Sequence, residues 1–205
     1  MGTDIHCFVE KRNKKGVWEQ ITGFETSWST DAVSPLEHRN YDMFAVLADV
    51  RNGVGFAGVP TGEPVEPISE PRGLPYDVSD EVRKELDHEG WLHSVSWLTV
   101  QELLDYDIDK VKKHEGFVSA KDYRLHKEGQ PFSSCGYTSA PKCDIEELEE
   151  MDAKYPEKQY YAKLHWEEPL KDACSPLFDT ALEQLIERCD EDDHSDVRIV
   201  FGFDN

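Results

Sequence analysis

The sequence predicts an α+β fold: a mostly antiparallel sheet that contains both the N-terminal and the C-terminal strand, with three to five helices packed on it. Three observations lead to this prediction. Both ends of the chain alternate apolar and polar residues with the period of two that is typical of strands. Segments between them carry apolar residues at helical spacing. Turn-forming residues separate these segments.

The composition indicates a reduced, cytoplasmic protein of a single domain, with loop-rich excursions at residues 53–78 and 105–144. The 205 residues include 5 Trp, 8 Tyr and 9 Phe, which is too aromatic for a disordered chain. Five scattered cysteines without a C-x-x-C motif favour free thiols over a disulfide framework. No apolar run approaches the roughly 18 residues of a transmembrane helix, so we expect no membrane partner.

The formal net charge of −21 narrows the choice of partners. Such a field repels phosphate backbones, so we expect no direct binding of nucleic acid. Two interpretations survive. One is a soluble acidic protein with a locally basic pocket, and the other is an acidic protein that mimics the charge of DNA towards a protein partner. The acidic residues between 144 and 152 are the main evidence for the second interpretation, but such a run is more often a solvated helix face.

The first strand carries a pair of chemically active side chains. Alternation places Ile5, Cys7 and Val9 on a core face. Asp4 and His6 share the opposite face, about 7 Å apart at their α-carbons by strand rise. A turn at 13–16 and a strand over 17–21 complete a hairpin.

The following elements rest on caps and periodicity. Asn40 or Asp42 caps a helix that ends at Asn52-Gly53, and Thr99-x-x-Glu102 is a capping box. Further elements are predicted as helices over 80–89, 145–155 and from Ser175-Pro176, and as extended segments over 91–98 and 160–166.

The last strand, Val197 to Asn205, alternates in the same way as the first. If the two strands pair antiparallel, Asp4 lies near Asp204 and Arg198 falls near Glu10. The pattern alone leaves the register open.

Several separated segments resemble one protein family. They are the opening Met-Gly-x-Asp-Ile-His, Arg39-Asn40-Tyr41-Asp42, Arg51-Asn52, His93-Ser94 with Trp97-Leu98-Thr99, and 197–201 with Phe203-Asp204-Asn205. They resemble a family of tailed-phage and prophage proteins that begin Met-Gly-Cys-Asp-Ile-His, with Thr3 here in place of the cysteine. The resemblance implies a phage origin, a setting in the host cytoplasm and action against host defences, but no particular chemistry.

These segments share hydrogen-bonding and charged side chains beside aromatic rings. The predicted ligand-binding residues are Asp4, His6, Arg39, Asn40, Tyr41, Arg51, Asn52, His93, Ser94, Trp97, Arg198, Asp204 and Asn205. In the first interpretation, arginines bind the phosphates of a small nucleotide-derived ligand, asparagines contact the base edges and an aromatic ring stacks on the base. Such a protein sequesters a host immune signal and needs no cofactor.

Two alternatives stay open. In one, Asp4, His6 and Asp204 bind a divalent metal such as Zn or Mn, and Asp4, His6 and His93 serve a phosphodiesterase or other hydrolase. The D-x-H pair is a weak motif for this role. In the other, the protein is an acidic inhibitor that binds a host defence protein. A homo-oligomer is compatible with each of the three interpretations.

Overall fold

The computed structural model describes residues 2–36, 39–87, 90–175 and 177–205. Over these residues the fold is α+β, as predicted. The strands are β1 (Ile5–Arg12), β2 (Trp18–Ile21), β3 (His93–Thr99), β4 (Val111–Ser119), β5 (Tyr161–Pro169) and β6 (Val197–Phe203). The helices are α1 (Tyr41–Ala48), α2 (Asp80–Asp87), α3 (Val100–Asp105), α4 (Ala120–Lys127), α5 (Leu148–Lys154), α6 (Leu170–Ala173) and α7 (Leu182–Ile186). The predicted helix end at Glu89 and the predicted Pro176 lie outside the described residues.

The chain divides into two compact units, where the sequence favoured a single domain. The first unit comprises the chain up to Asn52, Val65–Lys110 and Pro169–Asn205. It contains a four-stranded antiparallel sheet in the order β2-β1-β6-β3, which includes both terminal strands. The second unit comprises Gly53–Pro64 and Val111–Glu168, with a two-stranded sheet of β4 and β5. No helix of the described residues is long and apolar enough to cross a membrane.

The pairing of β1 with β6 fixes the register that the sequence left open. Ile5 lies opposite Phe203, and Glu10 lies opposite Arg198. The backbone N–H of Asp204 donates to the carbonyl of Asp4 over 3.1 Å. Both predicted neighbourhoods, Asp4 with Asp204 and Arg198 with Glu10, are therefore confirmed.

One face of the sheet forms the main core. Val9, Phe201 and Phe203 are fully buried there and pack with α1, whose Phe44 and Leu47 are also fully buried. Burying each such side chain contributes about 1.5–3 kcal/mol. Burial also raises the pKa of the Cys7 thiol on this face to about 12, and all five cysteines are free.

Helix α1 begins as predicted and ends earlier than predicted. The Asn40 side chain accepts from the backbone N–H of Met43 over 2.9 Å, which is an N-cap. The sequence placed the helix end at Asn52-Gly53, but the helix ends at Ala48. Asp49 adopts a left-handed conformation with φ 58° and closes the last turn there.

The opposite face of the sheet is half apolar and half charged. Helix α2 packs Val82 and Leu86 against Val200 on this face. Two residues before Val200 on β6, Arg198 is 2% exposed and forms an ion pair with Glu10, which is fully buried. The charged half of this face positions the candidate site.

The second unit contains regular structure that the sequence did not predict. Residues 105–144 were expected to be loop-rich, but they contain β4 and α4. Buried and more exposed positions alternate along most of β4, as in other strands. Two of its buried positions are the polar residues Lys112 and His114, so the sequence shows no apolar alternation there. Ser119 caps α4 by accepting from the N–H of Asp122 over 3.2 Å.

We expect Glu10→Gln to lower the free energy of unfolding by about 3–5 kcal/mol, because it leaves the Arg198 guanidinium buried without its full countercharge. Denaturant unfolding followed by circular dichroism measures this loss. Asp4→Asn is the matched control, since the Asp4–Arg39 pair is half-exposed and its loss should cost far less than the loss of the buried pair. Equal losses for the two variants would contradict this account of the buried pair.

Candidate functional site

Five side chains of the first unit form an alternating stack of guanidinium and indole groups. The central Arg198 carbon Cζ lies 4.0 Å from the Trp18 ring centroid and 5.6 Å from that of Trp97. Arg12 lies 5.6 Å from the Trp18 centroid, and Arg72 lies 4.9 Å from the Trp97 centroid. We call Arg12, Trp18, Arg198, Trp97 and Arg72 the arginine–tryptophan stack.

Strand pairing brings four members of the stack to one face of the sheet. Arg12 lies opposite Trp18 in the β1–β2 hairpin. Glu10, two residues before Arg12, lies opposite Arg198 of β6. Because Trp97 pairs with Val200, two residues after Arg198, it has the same parity. Arg72 joins from the loop before α2, where its backbone N–H donates to Ser96 Oγ.

Arg198 is held by two carboxylates and keeps one free donor. Its Nε donates to Glu10 Oε2 over 2.8 Å, and its Nη1 donates to Asp77 Oδ1 over 2.9 Å. Asp77 also accepts from the indole N–H of Trp18 over 3.1 Å, so one carboxylate fixes two layers of the stack. Arg198 Nη2 has no hydrogen-bond partner among the described residues.

The two outer arginines are closer to solvent and are also paired. Arg12 contacts Asp193 at 3.2 Å, with the Arg12 side chain 40% exposed. Arg72 makes a bidentate contact with Glu102 at 2.6 and 3.1 Å. Burial raises the pKa of Glu102, but hydrogen bonds from Arg72 and Thr99 outweigh it and bring this pKa below the ordinary value of 4.5. Glu102 is therefore charged near neutral pH.

A cavity of about 540 Å³ opens onto the stack, and we call it the stack cavity. Besides the stack it is lined by Leu74, Pro75, Tyr76, Asp77, Thr99 and Ser195. Its volume falls in the range of sites for small molecules. Guanidinium groups, hydroxyls and flat rings suit a ligand that combines negative charge with a planar ring.

The predicted cluster at the end of the sheet exists, and its members contact one another. His6 Nε2 lies 3.2 Å from Asp204 Oδ2, and the backbone N–H of Asp4 donates to Asp204 Oδ1 over 2.9 Å. Arg39 binds Asp4 with both Nε and Nη2, the former over 2.8 Å. The edge of Trp91 packs on the His6 ring, with centroids 5.2 Å apart. We call this group the terminal corner.

The last residue is tied into the same corner. Arg51 Nε donates to Thr3 Oγ1 over 2.8 Å, and Arg51 Nη2 donates to Asn205 Oδ1 over 3.2 Å. The Arg51 guanidinium also lies 5.7 Å from the Tyr41 ring centroid. These contacts join the two ends of the chain, so a structural role accounts for much of the corner.

Asn40 and Asn52 are occupied by the backbone. Asn40 Nδ2 donates to the carbonyls of Ala173 and Ser175 while its oxygen caps α1. Asn52 exchanges hydrogen bonds with the N–H and C=O of Val65. Contact with a base edge would cost these bonds, so we leave both asparagines out of the site that we propose.

His93 and Ser94 lie at a bulge of β3 beside the terminal corner. His93 pairs with Phe203, and its Nδ1 is 3.1 Å from Ser94 Oγ. Ser94 has a φ of 50°, which is uncommon for a residue other than glycine. The β-bulge between His93 and Ser96 accounts for the positive φ of Ser94.

The thirteen predicted residues therefore do not form one site. Asp204 and Arg198 are six positions apart on the β6 segment, which is about 20 Å by strand rise. The corner contains Asp4, His6, Arg39, Tyr41, Arg51, Asp204 and Asn205, whereas Arg198 and Trp97 belong to the stack cavity. In the described ranges no group of three or more His, Cys, Asp or Glu side chains is arranged to hold a metal ion.

The sequence interpretation missed several residues of the stack cavity. Arg12 and Trp18 could have been predicted from the sequence. Strand alternation puts Arg12 on the same face as Glu10, and the hairpin puts Trp18 opposite Arg12. Arg72, Tyr76 and Asp77 come from a proline-rich loop without a period, and no sequence pattern places them.

Comparisons with protein-family models, with curated proteins and with solved structures find no match to this chain. The resemblance to phage proteins stays a prediction.

The terminal corner makes a prediction about protonation. Arg39, hydrogen-bonded to Asp4, holds the pKa of that carboxyl below its ordinary value of 3.8. We expect Arg39→Gln to raise this pKa towards 3.8, as measured by NMR titration of the Asp4 carboxyl carbon. In the wild-type protein the pair adds stability above pH 3.8 and loses it as the pH falls through the depressed pKa. An unchanged Asp4 titration in the variant would exclude the Arg39 contact as the cause.

Proposed function

We propose that this protein binds a small anionic ligand with a planar ring, of the nucleotide-derived class, in the stack cavity. The observation that carries the proposal is the buried Arg198, which lines the cavity between two indole rings and retains a donor, Nη2, without an acceptor among the described residues. A buried unsatisfied donor of a charged group is costly, so the wall of the cavity at Arg198 favours a negatively charged ligand even though Nη2 itself is closed to solvent.

The outer arginines supply the accessible positive charge. The Arg12 and Arg72 side chains are 40% and 28% exposed, whereas Arg198 is nearly inaccessible. Each guanidinium has five N–H donors, which exceeds what one carboxylate accepts, so a phosphate can add to the existing pairs. The net charge of −21 does not exclude such a site, because salt screens exposed charges that lie farther away than about 8 Å.

The ring of the ligand has a place in the same arrangement. The stack alternates cation and ring, so an aromatic base placed on an outer guanidinium continues the alternation. Tyr76, which is 93% exposed at the rim, offers a further surface for stacking. These features support binding of the whole nucleotide-like ligand rather than of phosphate alone.

Holding the ligand without turnover is the simplest activity for this site. The Asp4–His6–Asp204 group, on which the hydrolase alternative depends, lies about 13 to 20 Å along the sheet from Arg198. Together with the resemblance to phage proteins, this supports a phage counter-defence protein that sequesters a host immune signal in the host cytoplasm.

The test combines calorimetry with recovery of the ligand. Purified protein is titrated with cyclic mononucleotides, cyclic dinucleotides and cyclic ADP-ribose isomers, and the ligand released by heat is analysed by chromatography. We expect intact ligand after heating, and we expect Arg72→Gln to raise Kd at least about tenfold, the equivalent of one charge-assisted contact. Arg39→Gln is the matched control from the terminal corner and should change Kd less than about twofold.

Three results would contradict the proposal. Loss of binding in Arg39→Gln with retention in Arg72→Gln would place the ligand in the terminal corner. A new product that disappears with a chelator would indicate metal-dependent hydrolysis. Failure to bind any ligand of the panel would leave the acidic protein-interaction function as the better account.

A further inference from the structure

The second unit contains a separate cavity of about 760 Å³, larger than the stack cavity. Its floor is built by close approach of two backbones. Gly62 has a φ of 152°, and a Cβ at this position would lie 2.1 Å from the carbonyl oxygen of Lys113. Glu63 N–H donates to the same oxygen over 3.0 Å, and Glu115 N–H donates to the carbonyl of Thr61 over 2.8 Å. The floor is therefore formed in advance of any ligand.

One wall of this cavity consists of aromatic rings held in place by one another. The His114 ring stacks on Trp166 with centroids 5.1 Å apart and an interplanar angle of 14°. Phe132 meets Trp166 edge-on at 5.3 Å, and His126 meets Phe132 at 5.0 Å. His114 Nε2 also lies 2.8 Å from Glu168 Oε1.

The charge that lines the cavity is mostly negative. Glu63, Glu115 and Glu167 line it, together with the single cation Lys113. Glu63 is paired with Lys113 at 3.2 Å, and Glu115 is paired with Lys163 at 2.8 Å. Glu167 is exposed and has no ion-pair partner in the part of the chain that the structure describes. An anion entering here would meet an uncompensated carboxylate.

We infer that this cavity is a binding site for a small organic ammonium cation. Glu167 supplies a carboxylate without an ion-pair partner among the described residues, and Trp166 supplies an aromatic ring of the kind to which an alkylammonium group is attracted. Aromatic rings are a common means of recognising such cations. This inference does not depend on the ligand of the stack cavity, which is of opposite charge and belongs to the other unit.

The source of the ammonium group is either a free amine or a lysine side chain of a protein. Spermidine and N-acetyl-lysine amide are therefore the two probes, and 5′-AMP is the anionic comparison. Titrations use the full chain at about 0.15 M salt, which screens the long-range attraction of an acidic protein for any cation. Calorimetry gives Kd, and the NMR signal of the Trp166 indole N–H reports on the cavity.

We expect one of the two cations to bind with saturation and to shift the Trp166 signal, and we expect 5′-AMP to do neither. Glu167→Gln should raise Kd about tenfold, and Trp166→Leu should weaken binding more than Trp166→Phe, which keeps a ring. Glu157→Gln is the matched control, because it removes the same charge from an exposed position of this unit that does not line the cavity.

The inference is overturned if Glu157→Gln and Glu167→Gln weaken binding equally, since attraction to the overall charge then explains it. It is also overturned if neither cation moves the Trp166 signal at saturation, or if 5′-AMP competes for the cavity. Should Trp166→Leu fail to fold, Glu167→Gln against Glu157→Gln still decides the question.

Discussion

The buried guanidinium of Arg198 is the constraint on which the first unit depends. A charge that is 2% exposed has to be paired, hydrogen-bonded and shielded, because its desolvation costs several kcal/mol. Glu10 and Asp77 supply the pairing, and Trp18 and Trp97 shield the two sides. These partners come from three further strands and one loop. Satisfying Arg198 therefore fixes the register of the sheet and, with it, the shape of the stack cavity.

The terminal corner and the arginine–tryptophan stack are the two polar regions on the face of the sheet that α2 covers in part. At the corner, hydrogen bonds of Asp4, Arg51 and Asn205 connect the N-terminal segment to the C-terminal segment. At the stack, Arg198 Nη2 has no hydrogen-bond partner among the described residues, and a cavity opens beside the stack. The contacts between the two terminal segments therefore account for the polar residues of the corner, whereas the ligand that we propose would account for the cavity at the stack.

The parts of the fold that follow from strand parity could be predicted from the sequence. If the two terminal strands pair antiparallel, their alternation brings Asp4 near Asp204 and Arg198 near Glu10, and the structure supplies the pairing and its register. Strand β4 could not be found in this way, because Lys112 and His114 occupy its inward positions. The sequence prediction placed residues of the terminal corner and of the stack cavity in one site, because a shared residue type and a shared strand face do not show how far apart two residues lie. Arg72 and Asp77 reach the stack by tertiary contact alone, which leaves no local pattern.

The most direct test of the central claim is to observe which side chains respond to the ligand. NMR of the arginine Nε–H and tryptophan indole N–H groups, recorded with and without a saturating cyclic nucleotide of the class that binds, makes this comparison. We predict shifts of Arg12, Arg72 and Trp97, a slowly exchanging Nε–H for the buried Arg198, and no change at Arg39 or Arg51. Shifts confined to Arg39 and Arg51, or rapid exchange of the Arg198 Nε–H, would contradict the account.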